Sequence, residues 1–588
     1  MGDQKNLLLA ILASLVILLG WQYFFEQLRL EAEQAAQRLA AEQTLEGEPG
    51  EIGPPRLEPE DGQDIAAGAP ALPGDVPRYA TVEDARQASP RIRVSTPSLH
   101  GTLSLTGARL DDLTLADYRV EADPASPEVT LLTPKGMARP YYVATGWLSA
   151  DGTIDLPGPD TLWSTDSTIL TPDRPVTLSW DNGQGLVFER RIEVDKDYMF
   201  SFEDRVINNS GRAVTLFPYA LSSRAGVPET MGFFILHEGP IGVLNETLKE
   251  YDYGDLMEEG PVAAETGPGG WLGFTDHYWL VSLIPAYDTP SKVRVSHARK
   301  DGVNRFQVDM RGEAVNIPAG ASDGVATRVF AGAKEVRLLD SYEAAYDIDR
   351  FDLAVDFGWF YFLTKPIFYV MEIFDDFLGK YGLAILLLTV IIKLLFFPLA
   401  NKSYHAMASM KKLQPKLTEL REKYKDDKAK MNQELMEMYK RDKINPAAGC
   451  LPILIQIPVF FALYKVLFVS IEMRHAPFYG WIQDLSAPDP TSVLNAFGLL
   501  PWSVPELGML NFLNIGIWPL IMGASMYLQQ KLNPQPADPI QARMFMLMPI
   551  IFTFLLAQFA AGLVIYWAWN NILSIAQQWA IMKKDNAA

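Results

Sequence analysis

A single lysine lies in the middle of a long apolar segment in the C-terminal half of the chain. Residues 382–399 read GLAILLLTVIIKLLFFPL, with Lys393 as their ionisable residue. A charged side chain at the centre of a membrane helix costs about 2.5–3.5 kcal/mol on insertion scales, so such residues usually face a protein interior or a water-filled cavity. Lys393 therefore indicates that the function of the protein lies inside the membrane.

Other polar residues occur at helical spacing in the same half of the chain. Thr389 precedes Lys393 by four residues, which places both side chains on one face of a helix. Gln456 is an isolated amide in an apolar stretch, and the last apolar segment carries a polar stripe. The stripe consists of Tyr566, Asn570, Ser574 and Gln577. Since polar groups need partners in hydrocarbon, we predict that these side chains converge on one hydrated cavity.

Each of these residues also has a purely structural explanation. Lys393 lies about 12 Å from Asn401 along a helix at 1.5 Å per residue, so its side chain could extend toward the cytoplasmic headgroups. Buried amides and hydroxyls often only hold helices together, each contributing roughly 0.6 kcal/mol. The joint pattern favours a shared cavity over these separate explanations.

Six apolar segments are predicted to cross the membrane. Trp21 and Tyr23 follow the first segment, and no small-residue cleavage pattern accompanies them, which favours an uncleaved anchor over a secretory signal peptide. Residues 351–376 mix aromatic and charged side chains, as an amphipathic helix at the interface does. The segments are 6–25, 377–400, 447–470, 513–531, 544–560 and 562–582.

The connection 401–446 is the most basic loop of this half, with 12 Lys and Arg against 7 Asp and Glu. Such loops stay in the cytoplasm, so counting crossings places both termini inside and the region before residue 350 outside. Apolar residues at helical spacing predict a helical hairpin here. Its methionines suit contact with varied apolar sequences, although packing between the two helices is an equal explanation. The candidate contact residues are Met407, Met410, Lys411, Lys412, Met431 and Met438.

The preceding half has a different composition. Residues 26–350 hold 29 Lys and Arg against 52 Asp and Glu, whereas 351–588 hold 21 against 18. The acidic balance argues against a nucleic-acid binder. The chain has one cysteine, Cys450, which excludes an intramolecular disulfide. Short alternating stretches such as 187–194 predict a large antiparallel β-sandwich.

These observations define a multi-domain membrane protein with an outer β-sandwich, a bundle of six transmembrane helices and a cytoplasmic helical hairpin. The predicted parts are the anchor 1–25, a polar helix and flexible linker 26–89, the β domain 90–350, the interfacial helix 351–376, the membrane domain 377–582 and a short tail 583–588.

Several motifs of the membrane half resemble the YidC/Oxa family of membrane protein insertases. The resemblance covers most of 377–582, and the β domain and first anchor are similar to Gram-negative members more loosely. The motifs are TVIIKLLFFPL at 389–399, MKKLQPKL at 410–417, INPAAGCLPILIQIPVF at 444–460, APFYGWIQDLSAPDP at 476–490 and GLVIYW at 562–567.

The resemblance implies a hydrophilic groove that is open to cytoplasm and lipid and closed toward the periplasm. Lys393 stands at the position of the family's groove cation, which is commonly an arginine. The other positions that the resemblance assigns to the groove or its surroundings are Thr389, Gln456, Tyr566 and Trp567.

The implied function is insertion and chaperoning of inner-membrane proteins, without enzymatic activity, nucleotide or metal. Implied partners are nascent membrane proteins, the lipid bilayer, the Sec translocon with its SecDF subunits, and the ribosome, weakly, through the hairpin. Two alternatives remain from the residues alone. One is a solute or ion transporter that uses Lys393 as a coupling charge, although no internal repeat is visible. The other is a periplasmic glycan enzyme, which leaves the polar residues of the apolar segments unexplained.

Overall fold

The computed structural model describes most of the chain from residue 79 onward. The predicted N-terminal anchor and the linker up to residue 78 lie outside the described residues. The described residues are 79–149, 154–228, 230, 236–285, 290–300, 302–358, 360–424, 427–442, 451–500, 502, 513–533 and 539–587.

The first part of the described chain is built of β-strands with alternating burial. In the strand 186–194, inward-facing residues are buried and their neighbours are wholly or partly exposed, as a strand with one covered face requires. The strands are β1 Arg91–Ser95, β2 Leu99–Ser104, β3 Arg109–Arg119, β4 Glu128–Leu132, β5 Tyr141–Ser149, β6 Ile169–Leu170, β7 Val176–Asp181, β8 Leu186–Val194, β9 Met199–Asn208, β10 Val214–Ala225, β11 Gly239–Leu244, β12 Thr247–Glu250, β13 Val262–Thr266, β14 Trp271–Thr275, β15 Trp279–Pro285, β16 Ser291–Lys300, β17 Val303–Arg311, β18 Val315–Ile317 and β19 Ser322–Ala333.

These strands form two sheets that pack face to face. Among the described residues, an 11-stranded sheet runs β13-β16-β17-β10-β5-β3-β2-β1-β6, with β18 on β10 and β4 on β3, and an 8-stranded sheet runs β12-β11-β14-β15-β19-β9-β8-β7. Pairing is antiparallel except between β1 and β6. Val143 and Val308 of the first sheet share one core with Phe188 and Val329 of the second. The predicted β-sandwich is confirmed.

The last residues of the predicted flexible linker are helical, which corrects that prediction. Helix α1 (Val82–Gln87) begins after Thr81, whose Oγ1 accepts a hydrogen bond from the Asp84 amide at 3.2 Å. The Arg86 guanidinium binds the Asp112 carboxylate on β3 at 2.7 Å. A side-chain cap and an ion pair therefore attach this segment to the sandwich.

Helices dominate the remainder of the described chain. Helices α2 (Tyr253–Glu259) and α3 (Val336–Tyr346) belong to the sandwich, and a short 3₁₀ helix (Phe351–Ala354) precedes the helical region. The structure thus divides the predicted interfacial segment 351–376 into this 3₁₀ helix and a later α-helix. The helical region comprises α4 Tyr361–Leu378, α5 Tyr381–Leu395, α6 Phe397–Lys423, α7 Lys428–Arg441, α8 Leu451–Val469, α9 Ile517–Leu532, α10 Pro539–Leu556 and α11 Ala561–Ala587.

The predicted continuous segment 377–400 is broken at Phe396. Helix α5 ends at Leu395, and α6 leaves at an angle of 69°. Pro398 occupies the first turn of α6, where its missing N–H is tolerated, but the same residue cannot continue α5. The helix that leads into the predicted hairpin consequently begins at residue 397 rather than 401. At the other end of the chain, α11 includes most of the predicted tail.

By length and mean hydropathy, the helices within the described ranges do not individually reach what a bilayer crossing requires. The bent pair α5 and α6, taken as Tyr381–Leu395 and Phe397–Leu413, meets the criterion together. Shorter apolar stretches are Gln456–Val469 and Ala542–Leu556.

Polar contacts join the sandwich to the helical region near the end of α8. The His277 ring donates from Nε2 to the Phe468 carbonyl at 2.6 Å, since a carbonyl can only accept. Arg474 Nη2 donates to the carbonyl oxygens of Arg119 at 2.7 Å and Val120 at 3.0 Å. These bonds fix the sandwich on the segment that follows α8.

Glu472 lies at the same junction and is partly buried. Its Oε1 accepts a hydrogen bond from the Val336 amide at 3.1 Å, whereas its Oε2 is buried without a hydrogen-bond partner among the described residues. Burial raises the pKa of Glu472 to about 8, and repulsion by Glu372 and Glu335 adds to this effect. The folded chain therefore keeps this carboxyl protonated at neutral pH, whereas an unfolded glutamate is ionised.

The stability of the junction should consequently depend on pH. The folded-state pKa of Glu472 lies above the unfolded value, so its contribution is complete below about pH 4 and is lost as the pH rises through 8. We expect the free energy of unfolding to fall by about 2 kcal/mol from pH 6 to pH 8 through this group. Glu472→Gln should remove that slope in denaturant unfolding of the full chain in detergent. The exposed Glu422→Gln is the matched control, and an unchanged slope in Glu472→Gln would contradict the assignment.

Candidate functional site

A cavity of ≈ 330 Å³ lies among the helices of the C-terminal region. Side chains from α5, α6, α8, α9, α10 and α11 form its wall, so its shape depends on the packing of the whole helical region. Its lining is Lys393, Tyr404, Gln456, Ile457, Phe460, Met526, Gln529, Gln530, Asn533, Phe545, Met548, Pro549, Tyr566, Trp567, Asn570, Asn571 and Ser574.

Lys393 reaches the cavity from the last turn of α5. Its Nζ donates a hydrogen bond to Ser574 Oγ on α11 at 2.7 Å. The Ser574 hydroxyl donates in turn to the Asn570 carbonyl at 2.7 Å. Among the described residues that line the cavity, Lys393 alone carries a charge. The ammonium group therefore sets the sign of the electrostatic potential in the cavity.

Gln456 and Tyr566 join α8 to α11 on another part of the wall. The Gln456 amide donates from Nε2 to the Tyr566 hydroxyl. The rings of Phe460 and Trp567 lie close by, with centroids 4.8 Å apart at an interplanar angle of 60°. This part of the wall is therefore both polar and aromatic.

Two residues of the sequence pattern lie off the cavity wall, which corrects the prediction for them. Thr389 is buried, and its hydroxyl donates to the Ile385 carbonyl of its own helix at 2.7 Å. Threonine satisfied in this way needs no partner across the bundle. Gln577 does not line the cavity either, since it lies nearly one further turn along α11, beyond Ser574.

The structure adds polar wall residues that the sequence pattern did not single out. Tyr404 comes from α6, Gln529 and Gln530 from the end of α9, and Asn571 from α11. Asn571 Nδ2 donates to Ser525 Oγ on α9 at 3.1 Å. In the sequence, the adjacent Gln529 and Gln530 in a mainly apolar helix could have indicated that α9 contributes to the cavity wall.

The cavity keeps polar atoms without partners among the described residues. Asn570 Oδ1 and Gln530 Oε1 are buried acceptors of this kind. Buried acceptors of native proteins are nearly always satisfied, by protein or by water. The arrangement therefore suits a hydrated cavity that exchanges hydrogen bonds with polar groups entering it.

The hairpin residues divide between packing and exposure. Helices α6 and α7 contact each other. Met438 is buried, as the packing explanation requires, whereas Met407, Met410 and Met431 are half-buried. Lys411 is half-buried and Lys412 exposed.

The described chain is a β-sandwich followed by helices that enclose a polar cavity, with one charged side chain among the described lining residues. Residues 91–370 match the family model of the YidC periplasmic domain, and residues 373–588 match that of the 60Kd inner membrane protein. These two matches identify the class of protein, an inner-membrane protein with a periplasmic domain. The chain belongs to the YidC family of membrane protein insertases.

Relatives of nearly full length support this membership. The membrane protein insertase YidC of Methylobacterium radiotolerans is 49% identical, with 99% of this chain and 95% of the relative covered. The membrane protein insertase YidC of Beijerinckia indica subsp. indica is 50% identical, with 99% and 96% covered.

Among solved structures, the chain is similar to a crystal structure of an active YidC insertase with its first transmembrane domain resolved. The similarity covers 83% of this chain and 92% of that one, at 17% identity and a TM-score of 0.35. Membership of the family does not depend on this similarity.

Proposed function

We propose that this chain inserts membrane proteins by receiving a polar segment of the incoming chain in the cavity around Lys393. The observation that carries the proposal is the Lys393 ammonium group, the one charge among the described lining residues, bonded to Ser574 and surrounded by neutral polar side chains of several helices. As a member of its family the chain is an insertase, not an enzyme, and nascent membrane proteins are its substrates. Lys393 acts as a binding charge.

The cavity lowers the cost of moving polar residues part of the way across the membrane. A polar group placed in hydrocarbon without a partner costs several kcal/mol. Acceptors such as Asn570 Oδ1 and donors such as the Lys393 ammonium offer partners to an entering segment. Attraction to Lys393 favours acidic segments in particular, because the low local dielectric strengthens charge interactions.

The apolar part of the incoming chain leaves along the outer faces of α8 and α10. Ile457 and Phe461 on α8 are about half-exposed. Helix α10 exposes Met546, Leu547, Ile550, Ile551 and Leu555. Phe545 and Met548 on α10 are exposed and also line the cavity, so the polar and apolar routes adjoin. A hydrophobic segment therefore slides into lipid while its polar tail stays in the cavity.

The proposal extends to the membrane topology of the chain and to its binding partners. Six crossings place both termini in the cytoplasm and the sandwich in the periplasm, in agreement with the basic composition of 401–446. The cavity is open to cytoplasm and lipid. The insertase works alone or beside the Sec translocon with SecDF, and the half-buried Met407, Met410 and Met431 of the hairpin contact incoming chains and, weakly, the ribosome.

Site-specific photocrosslinking tests the cavity route. A photoreactive residue at Gln456 or Trp567 should give adducts with a ribosome-bound nascent membrane protein, because both positions line the cavity. The same probe at Thr389, which is buried off the wall, is the matched control and should give adducts at least about tenfold weaker. Equal yields at all three positions, or none at Gln456 and Trp567, would contradict the proposal, and the latter is the result that a solute transporter predicts.

A further inference from the structure

A second cavity lies beside β5 and β10 of the 11-stranded sheet, lined by side chains of that sheet's outer face and by Arg190 of the other sheet. Val143, Ala220 and Val308 point into the sandwich core, whereas Tyr142, Tyr219 and their neighbours form a separate cluster. Successive side chains of a strand point to opposite faces, so this cluster lies on the face turned away from the core. The pairs Tyr219 with Gly146 and Leu221 with Ala144 place β10 and β5 side by side there.

The cavity is small and partly covered. Its volume is ≈ 60 Å³, room for about four water molecules, so a ligand places only its anionic end inside and the rest of it extends through the open side. The segment 157–159 and the Trp163 ring line it together with the sheet face. Gly107 leaves room for the guanidinium group of Arg109, because a Cβ at position 107 would lie 2.6 Å from Arg109 Nη1. The backbone thus accommodates a buried guanidinium at the cavity wall.

Three basic side chains line this cavity, and each of them has a carboxylate partner. Arg190 Nε donates to the Asp204 carboxylate at 2.6 Å, with both side chains buried. Arg109 Nε lies 3.8 Å from Asp111, a carboxylate that Arg91 also binds. Lys135 forms an ion pair with Asp160 at 3.8 Å, and the Asp160 side chain is 88% exposed. Because Arg109 and Arg91 share the single carboxylate of Asp111, positive charge exceeds negative charge among these pairs at the cavity wall.

Two buried polar atoms at the cavity are without hydrogen-bond partners among the described residues. They are Arg109 Nε, a donor, and Gln307 Oε1, an acceptor. The rest of each side chain is held in place: Arg109 Nη1 donates to the Pro159 carbonyl at 2.6 Å, and Gln307 Nε2 donates to Asp309 at 3.2 Å. Arg109 is 7% exposed and Gln307 1% exposed, so these are fixed groups rather than mobile surface side chains.

We propose that this cavity binds a small anion of defined chemistry, a carboxylate or phosphate group that carries a neighbouring hydroxyl. Arg109 and Lys135 bind the anionic oxygens, since guanidinium and ammonium groups form strong charge-assisted bonds to them. Gln307 Oε1 accepts the hydrogen bond of the hydroxyl. A cation does not fit, because the basic side chains repel it, and a neutral polyol leaves the excess charge uncompensated.

Isothermal titration calorimetry on the full chain in phospholipid-free detergent tests this proposal. The probes are sodium glycerol 1-phosphate, inorganic phosphate and neutral glycerol. We expect glycerol 1-phosphate to bind more tightly than inorganic phosphate, which lacks the hydroxyl arm, and glycerol not to bind. A separate arm adds glycerol 1-phosphate to the chain in nanodiscs rich in phosphatidylglycerol. Competition there assigns the site to a lipid headgroup, and unchanged affinity assigns it to a soluble anion.

Variants locate the binding. Arg109→Gln and Lys135→Gln should each weaken glycerol 1-phosphate binding about tenfold, the effect of losing one charge-assisted bond. Lys135 is nearer the surface than Arg109, so its variant tests the site even where the buried change perturbs folding. The exposed Arg212→Gln is the matched control and should bind as the wild type does. The proposal is overturned by absent binding of both phosphates, by glycerol binding as tightly as glycerol 1-phosphate, or by wild-type affinity in both Arg109→Gln and Lys135→Gln.

Discussion

Lys393→Glu is expected to abolish insertion of a small membrane protein that carries an acidic translocated tail. The ammonium group is the lone charge among the described cavity-lining residues, and reversal turns its attraction for the tail into repulsion. Two unit charges about 4 Å apart interact by about 4 kcal/mol at an effective dielectric constant of about 20. A loss of even about half that amount in the transition state slows insertion more than tenfold. The measurement is insertion in a strain depleted of its own insertase and complemented with each variant.

Further substitutions at Lys393 distinguish loss of the positive charge from its reversal. Lys393→Arg keeps the charge and a donor for Ser574, so it should insert nearly as the wild type does. Lys393→Ala should fall between arginine and glutamate. Lys531, an exposed residue of α9 that is not part of the cavity lining, supplies the matched control, and Lys531→Glu should leave insertion intact. Equal insertion by all the Lys393 variants would remove the charge from the mechanism.

Asp204→Asn is expected to lower the free energy of unfolding by about 3–5 kcal/mol, the usual cost of breaking one side of a buried ion pair. The Asp204 carboxylate binds Arg190 at 2.6 Å and accepts a hydrogen bond from Thr145 at 2.7 Å. Arg190 also donates to the Ala108 and Thr145 carbonyls at 3.2 and 2.6 Å, so it links the two sheets. Without Asp204, a guanidinium remains buried without its counter-charge. Denaturant unfolding of the full chain, followed by circular dichroism of its β-structure, measures the loss.

The adjacent residue provides a matched control. Glu203 forms an ion pair with Arg191 at 3.4 Å, and both side chains are about half-exposed. Exposed pairs contribute about 0–1 kcal/mol, so Glu203→Gln should be nearly neutral. A small effect of Asp204→Asn, comparable to that of Glu203→Gln, would show that Arg190 finds another partner or that water reaches the pair.

The sandwich was predictable because burial of one strand face imposes a period of two on the sequence. Strands such as β8 and β9 carry this period clearly. The parallel pairing of β1 with β6 was not predictable, since it joins strands distant in sequence through backbone bonds that need no particular side chains. The sequence did not predict helix α1, because the ion pair that holds it joins Arg86 to Asp112 on β3, a residue distant in the sequence.

The cavity was partly predictable for a similar reason. The stripe on α11 follows helical periodicity, and the structure places Tyr566, Asn570 and Ser574 on one wall with Lys393 and Gln456. Their role in insertion stays a prediction. Periodicity does not distinguish a polar side chain that faces a neighbouring helix from one that hydrogen-bonds to its own helix. Thr389 is of the second kind, because its hydroxyl donates to the Ile385 carbonyl. Tyr404 was missed because the bend at Phe396 returns α6 to the cavity, and the sequence pattern assumed a straight helix.

That bend also changes the electrostatic surroundings of the lysine. In a continuous helix Lys393 would sit amid hydrogen-bonded peptide groups, whose opposite partial charges offset one another away from the helix ends. With α5 ending at Leu395, Lys393 lies in the last turn, beside the negative end of the helix macrodipole. A cation in this position gains about 0.3–1 kcal/mol, and up to about 2 kcal/mol when partly buried. The proline that interrupts the helix thus offsets part of the cost of keeping a charge inside the bundle.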